Sequence, residues 1–342
     1  MRLALCALLV LGGCAIRGLP ASDAQTCPDC DATACEDRET LVVEYLGSGG
    51  YILRRGAEVI LLGPFISNPG LLAAMSIGRL RPDVAELERW LPDVSAARAI
   101  IVGHAHYDHL LDVPWIAVHR APDALIYGSN TVAHVLAAVP DVDGRVRSIE
   151  AAYDQGSDEP WVSIPGTRVR FLPIVSEHAA HVAGIKLMKG RLENDLDELP
   201  ARARGWVEGQ TYAFLIQFLH PTQNRPLFSL HYQDAASSPT NGFPPPGPAV
   251  DVALVCLASH RQAEDYPERL LERARPRHVV MGHWENFLAP YSRDPKQLRG
   301  VPFSHPRDFI ERVERYVATV DGSSWVLPAP GAQLRLVACP SD

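Results

Sequence analysis

Ala99-Ile-Ile-Val-Gly-His-Ala-His-Tyr-Asp-His109 is the stretch on which the reading of this chain turns. Ala99 to Val102 is apolar on both faces, the pattern of a buried strand. It runs straight into His104-x-His106-x-Asp108-His109. Side chains alternate along an extended segment, so His104 and His106 share one side while Asp108 and His109 turn to another. Imidazole nitrogens and carboxylate oxygens are the donors that borderline divalent metals such as zinc take. Two donor groups offset by a turn suggest two metals about 3.5–4 Å apart.

Short β runs flank this motif. Leu41–Leu46, Tyr51–Leu53 and Val59–Leu62 read as strands, with the glycine turn Gly47-Ser-Gly-Gly50 after the first. Asp83–Leu91 reads as a short helix between Pro82 and Pro92. Downstream, strands are expected at 169–172, 211–219, 227–232, 250–257 and 278–281, and at 325–327 and 333–337 near the end. Helices are expected over 265–275 and 306–320. Strand and helix alternate with no break in composition from residue 40 to 339 and no internal repeat. That order predicts one α/β domain in which sheets carry the loops and helices cover the outside.

The 342 residues are 47% hydrophobic and 21% charged, enough apolar surface for a packed core and against disorder. Forty acidic against 32 basic residues give a net charge of −8, which disfavours a nucleic-acid partner. The N-terminus reads as an export signal over residues 1–13, with Arg2 ahead of the apolar run Leu3–Leu11. Leu11-Gly-Gly-Cys14 is similar to a bacterial lipobox, which makes Cys14 the expected lipidation site. Acyl chains there would tether an exported protein to a membrane on the periplasmic side, expected to be the outer membrane. The alternative is an ordinary cleaved signal. Residues 14–38 read as a tether and 39–342 as the folded domain. In an oxidising compartment Cys27, Cys30, Cys35 and Cys339 read as one or two disulfides of undetermined pairing, with a zinc site on Cys27-x-x-Cys30 as the less favoured reading. Cys256 reads as a buried strand residue.

Gly103-His-Ala-His-Tyr-Asp-His-Leu-Leu-Asp112, with its preceding apolar strand, resembles the metallo-β-lactamase superfamily. Tyr45-Leu-Gly-Ser-Gly-Gly50 and His283-Trp-Glu-Asn-Phe287 look most like the branch of UlaG-type lactonases and N-acylethanolamine phospholipases D. The resemblance implies a single-domain αββα four-layer sandwich. It also implies further ligands after later strands, which here are His178, Asp234 and His283. By that resemblance one metal takes His104, His106 and His178, the other takes Asp108, His109 and His283, and Asp234 bridges them. Two Zn²⁺ are the expected cofactors, with iron or manganese as alternatives. His181, three residues after His178, is the alternative ligand; whichever loses either supports a ligand from behind or contacts substrate. The chain departs from the family pattern at Gly63-Pro64, where Asp-Pro is usual, and at Gln233, where Gly usually precedes the bridging Asp.

The function implied is hydrolysis of an ester, lactone or phosphodiester, with a small-molecule or lipid-derived substrate. Asp108 is expected in the catalytic centre. His260 follows a strand at the edge that approaches the metals and could protonate a leaving group, or be a plain loop residue. His231 could contact substrate or lie on a strand surface. Glu285 and Asn286 could orient His283 or begin a loop. His119, His134, His220, His278 and His305 lack ligand spacing and read as structural. The loops 184–209 and 243–248 are expected to wall the site. No Gly-x-Ser-x-Gly elbow and no phosphate-cradling Gly-x-x-x-x-Gly-Lys loop is present. A true β-lactamase, an iron-dependent redox relative and a non-catalytic metal-stabilised binding lipoprotein are the alternatives.

Overall fold

The computed structural model describes residues 21–22, 39–153, 161–181 and 183–338. The expected signal at 1–13, Cys14, and Cys27, Cys30, Cys35 and Cys339 lie outside the described residues. Among the described residues, no helix is long and apolar enough to cross a membrane.

The strands in chain order are β1 (Ala21–Ser22), β2 (Thr40–Gly47), β3 (Gly50–Arg55), β4 (Glu58–Leu62), β5 (Ala97–Ile101), β6 (Leu125–Gly128), β7 (Val146–Ser148), β8 (Val162–Ser163), β9 (Val169–Ser176), β10 (Thr211–Leu219), β11 (Pro226–Tyr232), β12 (Val252–Cys256), β13 (His278–Gly282), β14 (Ser324–Pro328) and β15 (Gln333–Val337). They form two sheets. One has the order β15-β2-β3-β4-β5-β6-β7 and the other β1-β14-β13-β12-β11-β10-β9-β8. In each, an antiparallel half passes into a parallel half: β4 through β7 run together, as do β11 through β14.

Alternation along the strands divides the core into layers. From the first sheet, Ile60, Leu62, Ala99 and Ile101 face the second, where Phe171, Phe214, Leu230 and Tyr232 join the same buried cluster. The intervening Val59, Leu61, Ile100 and Val102 face outward onto helices, burying against Leu87, Ile116, Val132 and Val135. Those residues belong to Val84–Trp90, Val113–His119 and Asn130–Leu136. Two further helices, Glu268–Ala274 and Pro306–Val317, bury Leu270, Leu271, Phe309 and Val313. Each such side chain withdrawn from water contributes about 1.5–3 kcal/mol before entropy is counted. Two sheets face to face with helices outside are the four layers the sequence implied.

Local chemistry explains where elements start and stop. The Asp83 carboxylate accepts from the Glu86 N–H and starts the helix one residue later than the sequence alone suggests. Pro267 shortens the helix expected at 265, which begins at Glu268. Strands β6 and β7 and the helices Val113–His119 and Asn130–Leu136 went unassigned in the sequence reading.

Candidate metal centre

Strand direction puts the donors in one place. Strand β9 is antiparallel to β10, and β10 to β11, so β9, β11 and β13 run the same way. Their carboxyl ends, with that of β5 from the other sheet, open on one edge, the usual position of a site in sheets of this kind. His104 and His106 follow β5, His178 follows β9 by two residues, Asp234 follows β11 by two, and His283 follows β13 directly. His106 is the N-cap of a single helical turn, Tyr107–Leu110, which turns Asp108 and His109 away from His104 and His106.

Three groups of donor atoms form there: His104, His106 and His178; His104, His109 and Asp234; and Asp108, His109 and His283. Within each group the candidate ligand atoms lie within 4.8 Å of one another. His104 Nδ1 is 3.2 Å from Asp234 Oδ1, and His283 Nε2 is 3.2 Å from Asp108 Oδ2. The rings of His104 and His109 have centroids 4.4 Å apart. All seven residues except His178, which is half-buried, are buried.

Burial, reinforced by neighbouring histidines, lowers the pKa of His104 and His106 well below the usual imidazole range. Burial lowers His178 as well and pulls His109 down to about 3. Neutral rings keep a lone pair free, the form in which imidazole ligates metal. Burial works to raise Asp108, but His109 and His283 outweigh it and hold the carboxylate well below its ordinary range. Burial raises Asp234 and keeps it raised.

The decisive feature is the unsatisfied atoms. His104 Nε2, both ring nitrogens of His109, Asp234 Oδ2 and His283 Nδ1 are buried without a hydrogen-bond partner. A buried polar atom without a partner costs about 1–3 kcal/mol, more when charged. Each ring can give one nitrogen to an ion, so cations bound here would satisfy most of these five atoms. With the two sheets and the donor loops gathered at their common edge, the architecture is settled. The fold is the four-layer αββα sandwich that the resemblance to the metallo-β-lactamase superfamily implies.

His181 stacks on His178 with centroids 4.5 Å apart, but it belongs to none of the three donor groups. Its Nδ1 accepts from the Leu187 N–H, tying it to the loop over the site. That loop closes on the donors at Met188, whose carbonyl lies 3.3 Å from His106 Nε2. A cavity of about 210 Å³ opens above, lined by Asp108, His178, Asp234 and His283 and by apolar residues including Phe287 and Met188. The loop 184–209 therefore contributes to the wall, while no residue of 243–248 lines this cavity.

Two candidate residues are corrected. His231 is fully buried with Nε2 2.8 Å from the Gly242 carbonyl, and it does not line the cavity. Tyr232 beside it faces between the sheets, so alternation sends His231 to the opposite face, away from substrate. His260 does line the cavity, but its Nε2 is 2.9 Å from the Ser304 carbonyl and Arg312 Nη1 stands 3.4 Å from Nδ1. Burial lowers its pKa to about 4. A neutral ring with both nitrogens engaged has no proton to give a leaving group. His260 instead anchors its turn against Phe309, 4.9 Å away.

Sequence reading left Glu285 between two roles. Its carboxylate accepts from the Tyr45 hydroxyl at 2.5 Å and from the Ser48 N–H, and the Tyr45 hydroxyl accepts from the His283 N–H at 2.9 Å. Glu285 thus positions His283 through Tyr45. Asn286 caps its own loop, accepting from the Leu288 N–H. At Gly63 no carboxylate supports His109: a Cβ there would meet His109 Nδ1 at 3.2 Å, and Asp234 Oδ2 is 3.7 Å from that nitrogen.

His231 makes a pH prediction. Burial lowers its pKa to about 4, whereas an unfolded histidine titrates near ~6.5. Between those values the unfolded chain binds the proton and the folded chain does not. Stability is therefore present above ~6.5 and is lost as pH falls toward 4. The loss from this residue is about 2 kcal/mol between pH 7.5 and 5. Urea unfolding of His231→Gln at both pH values should show a shallower decline than wild type; an equal decline in both would remove the assignment.

No protein-family model matches the sequence, and no curated protein matches it. Solved structures with a similar chain path include Igni18, a metallo hydrolase from the hyperthermophilic archaeon Ignicoccus hospitalis. It is 13% identical, with a TM-score of 0.48, covering 86% of this chain and 98% of that one. YhfI from Bacillus subtilis, a metallo-β-lactamase fold protein, is 12% identical with a TM-score of 0.48, covering 87% of this chain and 100% of that one. CmlA, a diiron β-hydroxylase from Streptomyces venezuelae, is 14% identical with a TM-score of 0.49, covering 87% of this chain and 54% of that one. Likeness at these levels says nothing of this chain's chemistry.

Proposed function

We propose that this protein is an exported, lipid-anchored hydrolase that holds two zinc ions and cleaves an ester, lactone or phosphodiester bond in a small or lipid-derived substrate. The buried, unpartnered donor atoms of His104, His109, Asp234 and His283 carry this reading. His104, His106 and His178 would hold one ion, Asp108, His109 and His283 the other, with Asp234 between them. When bound, the ions supply Lewis acidity and make water nucleophilic near neutral pH.

The chain's own residues do the rest. Two carboxylates against two dications leave the site cationic, suited to an anionic transition state. Tyr45 and Glu285 hold the His283 backbone, and the apolar wall at Met188 and Phe287 keeps bulk water away, which strengthens every charge interaction inside. Hydrolysis consumes one water: its oxygen bonds to the acyl carbon or phosphorus, the bond to the leaving oxygen breaks, and that oxygen takes a proton. The lipobox-like Leu11-Gly-Gly-Cys14 supports a tether of acyl chains on the periplasmic side of the outer membrane.

Elemental analysis of the purified protein, alongside p-nitrophenyl ester and bis-phosphodiester hydrolysis, tests the reading. The expected result is near two zinc per chain, with turnover lost on EDTA treatment and restored by zinc. Iron in place of zinc would change the cofactor. Metal without turnover on either panel would favour a binding lipoprotein.

A further inference from the structure

The cavity over the donors is not chemically uniform. Much of its lining is apolar, with Leu71, Met75, Leu187, Phe287, Leu288 and Phe303 contributing. Leu187 is 51% and Phe303 37% exposed, unusual for large apolar side chains and placed at the rim of a cavity rather than scattered singly. Ser259, Arg261 and Gln262 line it as well, next to Phe303, whose neighbour Ser304 meets His260. Apart from histidines, Arg261 is the one basic side chain among the described lining residues. It is exposed, and among the described residues its guanidinium makes no hydrogen bond or ion pair.

Free arginines are common on surfaces; this one differs in how its backbone is held. His260, directly before it, is fixed through both ring nitrogens to Ser304 and Arg312. Gln262, directly after it, accepts from the Gly184 N–H at 2.8 Å through Oε1, joining this turn to the loop 184–209. Ser259 takes a left-handed conformation, φ 61°, that turns the chain out of β12. The turn is clamped on both sides while the guanidinium between the clamps stays unpaired. A planar cation with a free fork of donors at the mouth of an apolar cavity is suited to a carboxylate or a phosphate.

We propose that Arg261 binds an anionic group of the substrate while the apolar wall takes its aliphatic chain, so that the substrate is an amphiphile whose charge lies apart from the scissile bond. This rests on the hydrolase reading only for the presence of a scissile bond. The chain-and-anion site stands on the cavity itself. Arg261 is a specificity-determining residue, and the donor cluster below performs the cleavage.

Calorimetry on the metal-loaded full-length protein, repeated after EDTA treatment, uses octanoate, octyl phosphate and octanol. At least one octyl anion should bind about 10-fold or more tightly than octanol in both forms, the size of one charge-assisted contact. Whichever anion is preferred identifies the head group. Arg261→Gln should bring that affinity down toward octanol's, and Arg261→Lys should restore part of it. Replacing octanoate by acetate should cost about 10-fold or more through loss of the apolar contact. Equal binding of octanol and both anions, or anion binding unaltered in Arg261→Gln, overturns the proposal, as does acetate binding as well as octanoate. An anion preference seen only with metal present also overturns it, because the metals and not Arg261 would then be the anion site. Octyl-anion binding by a protein that hydrolyses no ester sinks the hydrolase reading alone. Hydrolysis without any anion preference sinks this inference alone.

Discussion

Asp108→Ala lowers hydrolysis by more than about 100-fold, since loss of a ligand's supporting partner alone costs 10–100-fold. The same variant leaves the metal-free protein folded, at a melting temperature below that of wild type. Both halves follow from what Asp108 touches. Its carboxylate is buried in the donor cluster and meets His283 at 3.2 Å and His109 at 3.7 Å, both of them candidate ligands. Nothing in the backbone depends on it. In the metal-free protein its pairing with His109 and His283 outweighs the cost of burying its charge, so removing it lowers stability, while no described backbone group loses a partner and the fold persists. His106→Ala acts in the same direction on activity. Asp112, four residues further on, is the contrast. It accepts from the Ile66 and Ser67 N–H groups and the Ser67 hydroxyl, pinning the segment after β4. Asp112→Ala strands three buried donors and destabilises the fold by about 3 kcal/mol or more. Elemental analysis and thermal melts of the two variants separate these roles. Full activity with full metal content in Asp108→Ala would remove the metal mechanism.

That contrast shows what a sequence of this kind displays and what it hides. His104, His106, Asp108 and His109 were legible because four donors fall within six residues, a density no structural need explains. His178, Asp234 and His283 were legible only through family resemblance, since each stands alone in sequence and meets the others through strand direction. The strands with alternating or continuous apolar runs were read within a few residues. Strands β6 and β7 are four and three residues long, too short to show a period. The helix Asn130–Leu136 did carry a signal, Ser129, whose hydroxyl accepts from the Val132 N–H as an N-cap. His231 and His260 stayed open between two roles in the sequence for one common reason. Sequence shows that a histidine is near an active-site edge, but each spends Nε2 on a carbonyl, that of Gly242 or of Ser304, and only packing reveals this. Arg261 was passed over because an isolated arginine in a loop has no pattern at all.

Gly103→Ala should disable the site almost as fully as loss of a ligand, although glycine has no side chain to contribute. A Cβ at residue 103 would sit 2.3 Å from Asp234 Oδ2 and 2.5 Å from its Cγ and Oδ1. Those separations are far inside contact distance, so one partner has to move. The Gly103 backbone is poorly placed to do so, because its carbonyl accepts from the Tyr212 N–H at 2.9 Å and ties the two sheets together there. Asp234 is held from behind as well, since the Gln233 N–H donates to the Leu254 carbonyl at 3.0 Å. The carboxylate is then displaced by about 1 Å, against metal–oxygen distances that hold to within ~0.2 Å in real sites. Metal content should fall below one ion per chain and turnover by about 100-fold or more. Stability should fall by about 1–3 kcal/mol, the usual range for forcing an extra methyl into a packed site. The double variant Gly103→Ala, Asp234→Gly distinguishes crowding from any other cause. Removing the carboxylate relieves the clash, so stability should return while activity does not. If Gly103→Ala alone keeps its metal and its turnover, the backbone at 103 is more yielding than its hydrogen bonds imply, and Asp234 is not the ligand between the two half-sites.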